Sequence, residues 1–318
     1  MIGVVAPGQG SQKPGFLRPW LEIAQVAQSI DELSETAGID LATHGTESDA
    51  DTLRDTAIAQ PLLVAASIVT ARLLFSDGQH SQSAHLVTAG HSVGELSSAA
   101  VAGVIDDRSA VWLAAQRGKC MAVASAAASS GMSAVLGGDR AEVLTLIGEL
   151  GLTAANINGP DQVVAAGGLS ALADLRAQAA PGTNVIPLKV AGAFHSTQMS
   201  AAADEFAAFA GQIHPRDPTV AVVSNPDGAV VTDGTEVMNR LVRQVQSSVR
   251  WDLTIARLHS MGVRRVVELC PGGTLTSMIR RSHPDIDCVA LKSVDDIDAA
   301  SALISAHNFG TRSQTANG

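Results

Sequence analysis

The sequence predicts an α/β protein in which a ferredoxin-like unit is inserted into a larger unit. Short apolar runs bounded by glycine or proline alternate with longer segments whose apolar residues recur at helical spacing, as in α/β folds. Between residues 132 and 190 the order becomes β-α-β-β-α-β, the order of a ferredoxin-like unit. Hydrophobic residues form 46% of the chain and charged residues 16%, so we expect a packed globular core.

The first part of the larger unit is predicted from strands and the helices that cover them. Residues 1–6 are an apolar run that ends at Pro7 and Gly8, which is typical of a buried strand that breaks into a loop. The next strand is predicted at residues 85–89. Helices are predicted where apolar residues recur at helical spacing, at residues 20–37, 56–74 and 104–121.

The inserted unit follows an Ala- and Ser-rich run at residues 122–130, which is the clearest candidate hinge. Its strands are predicted at residues 132–136, 152–157, 163–166 and 185–190, and its helices at 140–150 and 169–180. The chain then returns to the larger unit, with helices at 199–210, 236–245, 251–261 and 275–281 and strands at 220–224, 263–269 and 289–291. The predicted boundaries are 1–121 with 191–306 for the larger unit, 122–190 for the insert, and 307–318 for a flexible polar tail.

A Gly-x-Ser-x-Gly sequence, from Gly90 to Gly94, lies between the strand at 85–89 and a helix of small residues. Glycines lack the β-carbons that would clash where a strand turns sharply into a helix, so Ser92 can be held in a strained conformation with its hydroxyl exposed. The helix behind it directs unpaired N–H groups to the same place, which suits a developing oxyanion. Ser92 is therefore the candidate nucleophile, although a tight turn without a catalytic role would show the same pattern.

Charge and cysteine content argue against several classes of protein. The formal net charge of -10 disfavours general binding of nucleic acid or anionic membranes. Cys120, Cys270 and Cys288 are widely separated and have no metal-ligand spacing, so we expect buried thiols in a reducing compartment and no metal site. No charged leader precedes the apolar residues 1–6, and no apolar run approaches the length of a membrane span, so we expect a cytoplasmic location.

Two further residues have two interpretations on spacing alone. Arg117, near the end of the helix predicted at 104–121, could clamp a carboxylate because guanidinium is a flat, two-pronged donor. A solvated cation is the commoner case for an arginine. His195 follows a predicted strand and precedes a helix, so it could act as a base in a cleft or be an ordinary histidine.

Taken together, the motifs of this chain resemble those of the malonyl-CoA:acyl carrier protein transacylases of bacterial type II fatty-acid synthesis, over nearly the whole length. Several motifs in the same order are more specific than any one of them. They are Pro7-Gly8-Gln9-Gly10-Ser11-Gln12, Gly90-His91-Ser92-Val93-Gly94-Glu95, Arg117, Asn156 with Asn158 and Pro160, Gly192-Ala193-Phe194-His195-Ser196, Arg243-Gln244 followed by Val249-Arg250-Trp251, and Glu268 with Pro271-Gly272.

The resemblance implies a role for each matching residue at the reacting centre. Ser92 would be the nucleophile and His195 its general base. The backbone carbonyl of Gln244 would hold the imidazole, where a hydrolase would use an acidic side chain. The backbone N–H groups of Gln9 and Val93 would form the oxyanion hole.

The resemblance also implies substrate contacts and a fold. Arg117 would pair with the malonyl carboxylate, which favours the clamp interpretation. Asn156 and Asn158 would lie in the substrate site, and Phe194 would favour malonyl over methylmalonyl groups, beside the small side chain that follows the nucleophile. The fold would be an α/β-hydrolase-like large domain with a ferredoxin-like insert.

The implied activity is transfer of the malonyl group from malonyl-CoA to the pantetheine thiol of acyl carrier protein, through a malonyl-serine intermediate in ping-pong order, to supply fatty-acid synthesis. No resident cofactor is expected, because the CoA thioester is a substrate and the phosphopantetheine arrives on the partner. A cytoplasmic monomer is expected. The acidic carrier would need a basic docking surface, although scattered solvated cations would look the same. The candidates for that surface are Lys189, Arg264, Arg265, Arg280 and Arg281.

Two other functions are compatible with the Gly-x-Ser-x-Gly sequence. A serine esterase or thioesterase on a similar sheet would use an acidic partner and a histidine near the C-terminus, such as His259 or His283. The second alternative is a non-catalytic protein that kept this fold and binds carrier protein.

Overall fold

The computed structural model describes residues 1–75, 85–190 and 192–312, with side chains as far as residue 305. In chain order the strands are Ile2–Ala6 (β1), Leu86–Gly90 (β2), Ser130–Leu136 (β3), Thr153–Gly159 (β4), Gln162–Gly168 (β5), Asn184–Pro187 (β6), Ala221–Val223 (β7), Val230–Val231 (β8), Arg265–Glu268 (β9) and Asp287–Ala290 (β10). The helices are Arg18–Leu21 (α1), Ala24–Ala37 (α2), Leu41–Thr46 (α3), Thr56–Leu74 (α4), Gly94–Val101 (α5), Asp107–Ala126 (α6), Arg140–Glu149 (α7), Leu169–Gln178 (α8), Ser200–Ala210 (α9), Gly234–Gln244 (α10), Trp251–Ser260 (α11), Thr274–Ser282 (α12) and Asp296–Arg312 (α13).

A six-stranded mixed sheet in the order β10-β9-β1-β2-β7-β8 forms the larger unit. All neighbours are parallel except β8, which pairs antiparallel with β7 at one edge. Helices cover both faces, since Val4 of β1 packs into one buried cluster and Val5 into another. Burial on both faces explains why β1 reads as a continuous apolar run. The predicted α/β class is confirmed.

The carboxyl ends of three parallel strands lie side by side at one edge of this sheet. Ala6 pairs with Gly90, and Ala89 pairs with Val223. The segments that follow β1, β2 and β7 are therefore neighbours in space, although they are far apart in sequence. Ligands of open α/β sheets bind at the carboxyl ends of the strands.

The smaller sheet is antiparallel throughout, in the order β4-β5-β3-β6. The predicted β-α-β-β-α-β order is observed. One face buries a separate core with α7 and α8, in which Val163 packs. The other face turns Met132 and Val164 toward the core of the larger unit. The smaller sheet therefore packs against the larger unit through this second face.

Backbone hydrogen bonds attach the smaller sheet to the larger unit. The N–H of Val249 donates to the carbonyl of Ala155 at 2.8 Å, and the N–H of Ile157 donates to the carbonyl of Val249 at 2.9 Å. An ion pair between Arg140 and Asp252 lies nearby. The edge strand β4 thus pairs with a segment of the larger unit.

Helix α4 corrects one expectation from the sequence. It has 19 residues with a mean hydropathy of 1.7, and by length and composition it could cross a membrane. Of its most apolar stretch 78% is buried, where it packs against α2, α5 and α6. A helix enclosed in a core is apolar on all sides for this reason, as a membrane span is.

Some boundaries differ from the prediction. Helix α6 continues to Ala126 and β3 begins at Ser130, so the linker is residues 127–129, because alanine favours helix. Strand β6 ends at Pro187, short of the predicted 190. Helix α13 runs to Arg312, through residues assigned to the tail from 307, and residues 313–318 lie outside the described part. The elements α3, β8 and α13 were not predicted.

Helices α4 and α6 pack so closely that a glycine is required between them. A β-carbon at Gly118 would lie 2.6 Å from the carbonyl oxygen of Thr56. We expect Gly118→Ala to lower the free energy of unfolding by about 1–3 kcal/mol, because the two helices must separate. The control is Gly148→Ala in α7, where a β-carbon meets no atom within 4 Å. Urea unfolding should show this control to be more stable by about 0.5–1 kcal/mol, and equal losses in both variants would contradict the explanation.

Candidate active site

The turn between β2 and α5 holds Ser92 in the left-handed backbone region, with φ of +54°. A β-carbon at Gly90 would overlap the backbone of Gly94, and one at Gly94 would overlap the carbonyl of Ala6. Both positions therefore require glycine. The sharp turn with a strained serine that the sequence predicts is confirmed.

Asn225, which follows β7, holds this turn from the neighbouring strand. Its Oδ1 accepts a hydrogen bond from the Ser92 N–H at 2.8 Å, and its Nδ2 donates to the Gly90 carbonyl at 2.6 Å. No role for Asn225 was predicted from the sequence. The signal that could have identified it is a polar pair, Ser224 and Asn225, directly after a strand that ends at the ligand-binding edge.

Ser92 and His195 are in hydrogen-bond contact. The distance from Ser92 Oγ to His195 Nε2 is 2.7 Å, and that from His195 Nδ1 to the carbonyl oxygen of Gln244 is 2.9 Å. A carbonyl can only accept, so Nδ1 carries the hydrogen and Nε2 accepts the Ser92 hydroxyl. The arrangement can therefore take a proton from Ser92, which is what a nucleophile and its base require.

The His195 ring is 4% exposed. Burial, and after it the positive charge of Arg117, lower the pKa of this ring to about 3. The ring is therefore neutral at physiological pH and free to accept a proton at Nε2. Its backbone also has a positive φ, of +58°, so both members of the pair lie in strained turns.

Arg117 lies in the middle of α6 and is 2% exposed, so the interpretation as a solvated cation is wrong. Its guanidinium donates to Gln60 Oε1 at 2.7 Å and to Gln244 Oε1 at 2.9 Å, and it lies 3.4 Å from Ser92 Oγ. Burial lowers its pKa to about 10, which leaves it charged at neutral pH. A buried cation held by two neutral amides can bind a carboxylate that arrives near Ser92.

A cavity of about 90 Å³ opens over these side chains. Its walls come from both units. They are formed by Gln9, Gln60, His91, Ser92, Val93, Arg117, Met121, Met132, Asn156, Val164, Leu188, Val190, Phe194 and His195. The structure thus brings most of the predicted site residues together.

The two predicted oxyanion donors, Gln9 and Val93, follow the ends of β1 and β2. Among the described residues, none accepts a hydrogen bond from either backbone N–H. The side chain of Gln9 is used elsewhere, because its Oε1 accepts from Thr56 Oγ1 at 2.7 Å. Both N–H groups are therefore available to an oxygen in the cavity, although their role stays a prediction.

The two predicted asparagines occupy different places. Asn156 lines the cavity, and within the described part of the chain its Oδ1 has no hydrogen-bond partner. Asn158 is buried behind the cavity wall, where its Oδ1 lies 2.9 Å from His91 Nε2. Asn158 therefore supports His91 and does not line the cavity. Two residues this far apart would share a face in a regular strand, but the pairing of β4 with β5 shifts register between Ile157 and Gly159, which interrupts the alternation.

Two further buried polar side chains at the site were given no role from the sequence. Gln60 is an amide within the apolar helix α4 and is held by Arg117. Glu95, at the start of α5, is 4% exposed and accepts hydrogen bonds from the Asn225 N–H at 2.7 Å and from Gln244 Nε2. Burial raises the pKa of Glu95 to about 7. A polar residue inside an apolar helix was the available signal for Gln60.

The histidines that an esterase would use lie elsewhere. His259 is 2.8 Å from Asp285, which precedes β10, and its ring centroid is 4.8 Å from that of His283. This group is at the amino end of the strands, whereas Ser92 is at the carboxyl end. Within the described ranges, no three His, Cys, Asp or Glu side chains are grouped so that they could hold a metal ion.

We expect the His195 ring to stay neutral from neutral pH down to about pH 5. An unfolded histidine has a pKa of about 6.5, so the unfolded chain binds this proton first and stability falls as the pH drops below that value. Nitrogen NMR of the imidazole measures the titration directly. Arg117→Gln should raise the pKa of His195, because a positive charge is removed, and protonation of the wild-type ring near pH 6.5 would contradict the geometry described.

Comparisons with known proteins identify the family of this chain. The family model described as "Acyl transferase domain" matches residues 4–304. The malonyl CoA-acyl carrier protein transacylase of Mycobacterium tuberculosis is 44% identical over 307 residues, which are 95% of this chain and 100% of the relative. That of Escherichia coli K12 is 33% identical, over 94% of this chain and 98% of the relative.

Solved structures give the same result. The crystal structure of MCAT from Mycobacterium tuberculosis has a TM-score of 0.90 at 44% identity, over 95% of this chain and 99% of that one. A malonyl-transacylase in complex with its type II polyketide acyl carrier protein has a TM-score of 0.88 at 31% identity, over 94% of this chain and 98% of that one. The chain therefore belongs to the acyl transferase domain family and, within it, to the malonyl CoA-acyl carrier protein transacylases.

Proposed function

We propose that this enzyme transfers the malonyl group from malonyl-CoA to the pantetheine thiol of acyl carrier protein, through a malonyl ester on Ser92. The product supplies fatty-acid synthesis. The single observation that carries the proposal is the 2.7 Å contact between Ser92 and His195 beside the buried charge of Arg117. A nucleophile with its base explains acyl transfer, and the buried cation explains an acyl group with a free carboxylate.

In the first half-reaction, Ser92 Oγ attacks the thioester carbonyl while its proton moves to His195 Nε2. The carbonyl π electrons move onto oxygen, and the N–H groups of Gln9 and Val93 bind the oxyanion. The intermediate collapses, the carbon–sulfur bond breaks, and the CoA sulfur takes the proton from His195. The backbone carbonyl of Gln244 keeps the proton-accepting nitrogen directed at Ser92 throughout.

In the second half-reaction, the pantetheine thiol of the carrier repeats these steps from the other side. Its sulfur attacks the ester carbon and its proton passes to His195, which returns a proton to Ser92 Oγ. Water must not reach the ester between the two half-reactions, which suits a cavity of about 90 Å³ with a buried base. No step requires a resident cofactor.

Acyl selection follows from charge and size. We propose that Arg117, 3.4 Å from the nucleophilic oxygen, pairs with the malonyl carboxylate. Phe194 and Val93 line the same cavity and would leave little room for a branched acyl group. The open Oδ1 of Asn156 is a further polar contact for the substrate, supported by its position in the wall.

We also propose domain boundaries, an oligomeric state and a cellular location for this chain. We assign residues 1–121 and 191–306 to an α/β-hydrolase-like catalytic domain, and residues 122–190 to a ferredoxin-like domain, supported by the order β4-β5-β3-β6. A monomer is supported because one chain supplies every site residue discussed. A cytoplasmic location is supported by the free thiols of Cys120, Cys270 and Cys288.

A serine esterase is the less favoured alternative. It would place an acidic side chain on the imidazole, whereas His195 Nδ1 donates to a backbone carbonyl. A catalytically inactive binder is disfavoured for a related reason, since the strained turn and its hydrogen bonds serve a reactive serine.

The five cations considered for carrier docking lie in different places. Arg264 and Arg265 lie at the amino end of β9, away from Ser92, so they are removed from the docking proposal. Arg280 donates to the Cys288 carbonyl. Lys189 is exposed between two residues of the cavity wall. Arg281 is the candidate that lines an open cleft, so the docking proposal is built on it.

Arg281 lines an open cleft of about 740 Å³, in which Lys13 and Lys292 are the other charged lining residues. Among the described residues, the walls of this cleft therefore contain three cations and no acidic side chain, in a protein of net charge -10. Arg281 also donates to Gln162 of the smaller sheet at 2.9 Å. We propose that the acidic carrier docks here, next to both units.

Incubation with malonyl-CoA should increase the intact mass of the wild-type chain by one malonyl group. Ser92→Ala should show no increase, and its transfer rate should fall at least about a thousandfold. The matched control is Ser97→Ala, in the helix α5 that follows the turn, whose buried hydroxyl has no partner among the described residues. Adding carrier protein should move the label to its thiol. Release of free malonate instead would support an esterase, and an unlabelled wild type would support a binder.

Arg281→Glu should raise the KM for carrier protein by roughly three- to tenfold, because the acidic partner meets a reversed charge. The rate at which malonyl-CoA labels Ser92 should not change. Arg280→Glu is the control, since this neighbour in α12 is directed to the Cys288 carbonyl. Equal effects of the two variants on carrier kinetics would remove the cleft from the interface.

A further inference from the structure

Two glutamates, Glu95 and Glu268, are the buried carboxylates of the described residues. Glu268 accepts three backbone N–H groups at the start of α12, from Gly273, Leu275 and Thr276. All of its hydrogen bonds thus serve one helix terminus. Glu95 differs, because its partners come from two segments and one of them is a side chain of the active site.

The two oxygens of Glu95 have different donors. Oε1 accepts the Asn225 N–H at 2.7 Å, and Oε2 accepts from Nε2 of Gln244. The same Nε2 donates to the Ser92 carbonyl at 3.0 Å. Glu95 is therefore bonded to the segment that supports the nucleophile and to the side chain next to Arg117.

The carboxamide of Gln244 has two chemically different ends. Its NH₂ end faces Glu95 and Ser92, and its oxygen accepts from Arg117 Nη2 at 2.9 Å. An ionised carboxylate can only accept hydrogen bonds, so Glu95 requires the NH₂ end. This fixes the oxygen of Gln244 toward Arg117.

The charges of Glu95 and Arg117 also connect these two residues. Arg117 is hydrogen-bonded to the neutral side chains of Gln60 and Gln244. Burial lowers the pKa of Arg117, and the negative charge of Glu95 opposes that effect. Glu95 is therefore the countercharge that lets a guanidinium stay ionised in a buried place, with an amide between the two.

We infer that Glu95 is a positioning residue, which acts through the Gln244 carboxamide to hold Arg117 where it recognises the carboxylate of the acyl group. The inference rests on the proposed malonyl transfer and adds a residue to it. Glu95 touches neither substrate nor reacting atoms. Its effect should therefore depend on whether the acyl group is charged.

Glu95→Gln tests this with almost no change of shape. A glutamine has one oxygen for two donors, so its NH₂ group must face either the Asn225 N–H or the Gln244 NH₂ group. We expect the rate of Ser92 acylation by malonyl-CoA to fall by about ten- to a hundredfold, because Arg117 is displaced. Acylation by p-nitrophenyl acetate, which has no carboxylate, should stay within about threefold of wild type.

Burial raises the pKa of Glu95 to about 7. Both rates are therefore to be measured at about pH 8, where most of the Glu95 side chains are ionised. Glu268→Gln is the matched control, because it replaces the other buried carboxylate, whose hydrogen bonds go to the start of α12. The ratio of the malonyl rate to the acetate rate should not change in this variant. Gln244→Met keeps the backbone carbonyl for His195 but removes both the relay and the hydrogen bond to the Ser92 carbonyl. Both rates should therefore fall, and the malonyl rate should fall further, which lowers the ratio as Glu95→Gln does. This second variant decides the matter if Glu95→Gln does not fold.

An equal fall of both rates in Glu95→Gln, or an unchanged ratio in Gln244→Met, would overturn the inference and leave malonyl transfer intact. A wild type that p-nitrophenyl acetate labels and malonyl-CoA does not would refute the proposed function itself. The two failures are therefore distinguishable.

Discussion

The left-handed conformation of Ser92 is the constraint on which the rest of the site depends. Such a conformation costs on the order of 1–3 kcal/mol in a residue with a side chain, so neighbouring interactions must hold it. Asn225 holds the Ser92 N–H and Gln244 holds the Ser92 carbonyl, while two glycines keep the turn free of β-carbons. The turn is thus held by hydrogen bonds from two other segments of the chain, while the Ser92 hydroxyl faces the cavity.

The same side chains also distribute charge. A buried guanidinium and a buried carboxylate lie on either side of Gln244, and a neutral imidazole lies against its carbonyl. One residue at the end of α10 therefore orients a cation, a base and the nucleophile's backbone together. Because these bonds share one residue, changes at any of the linked positions are not expected to be additive.

Local sequence patterns predicted what depends on local geometry. The turn around Ser92 follows from its two glycines, and the β-α-β-β-α-β order of the insert follows from periodicity. The burial of Arg117 does not follow from either, since it depends on α4, whose Gln60 is 57 residues away. Asn225 and Glu95 were missed for the same reason: their function arises from contacts between strands adjacent in space and distant in sequence.

The attachment of β4 to Val249 has a consequence for how substrates enter. Val249 bonds to both sides of Asn156, and it lies five positions after Gln244, which holds the base. Swinging the smaller sheet away would break both of these hydrogen bonds, at about 0.5–1.5 kcal/mol each, as well as the pair of Arg140 with Asp252. These contacts therefore oppose an opening of the cavity at Ser92, which favours lengthwise entry of a thioester carried at the end of a long, flexible arm.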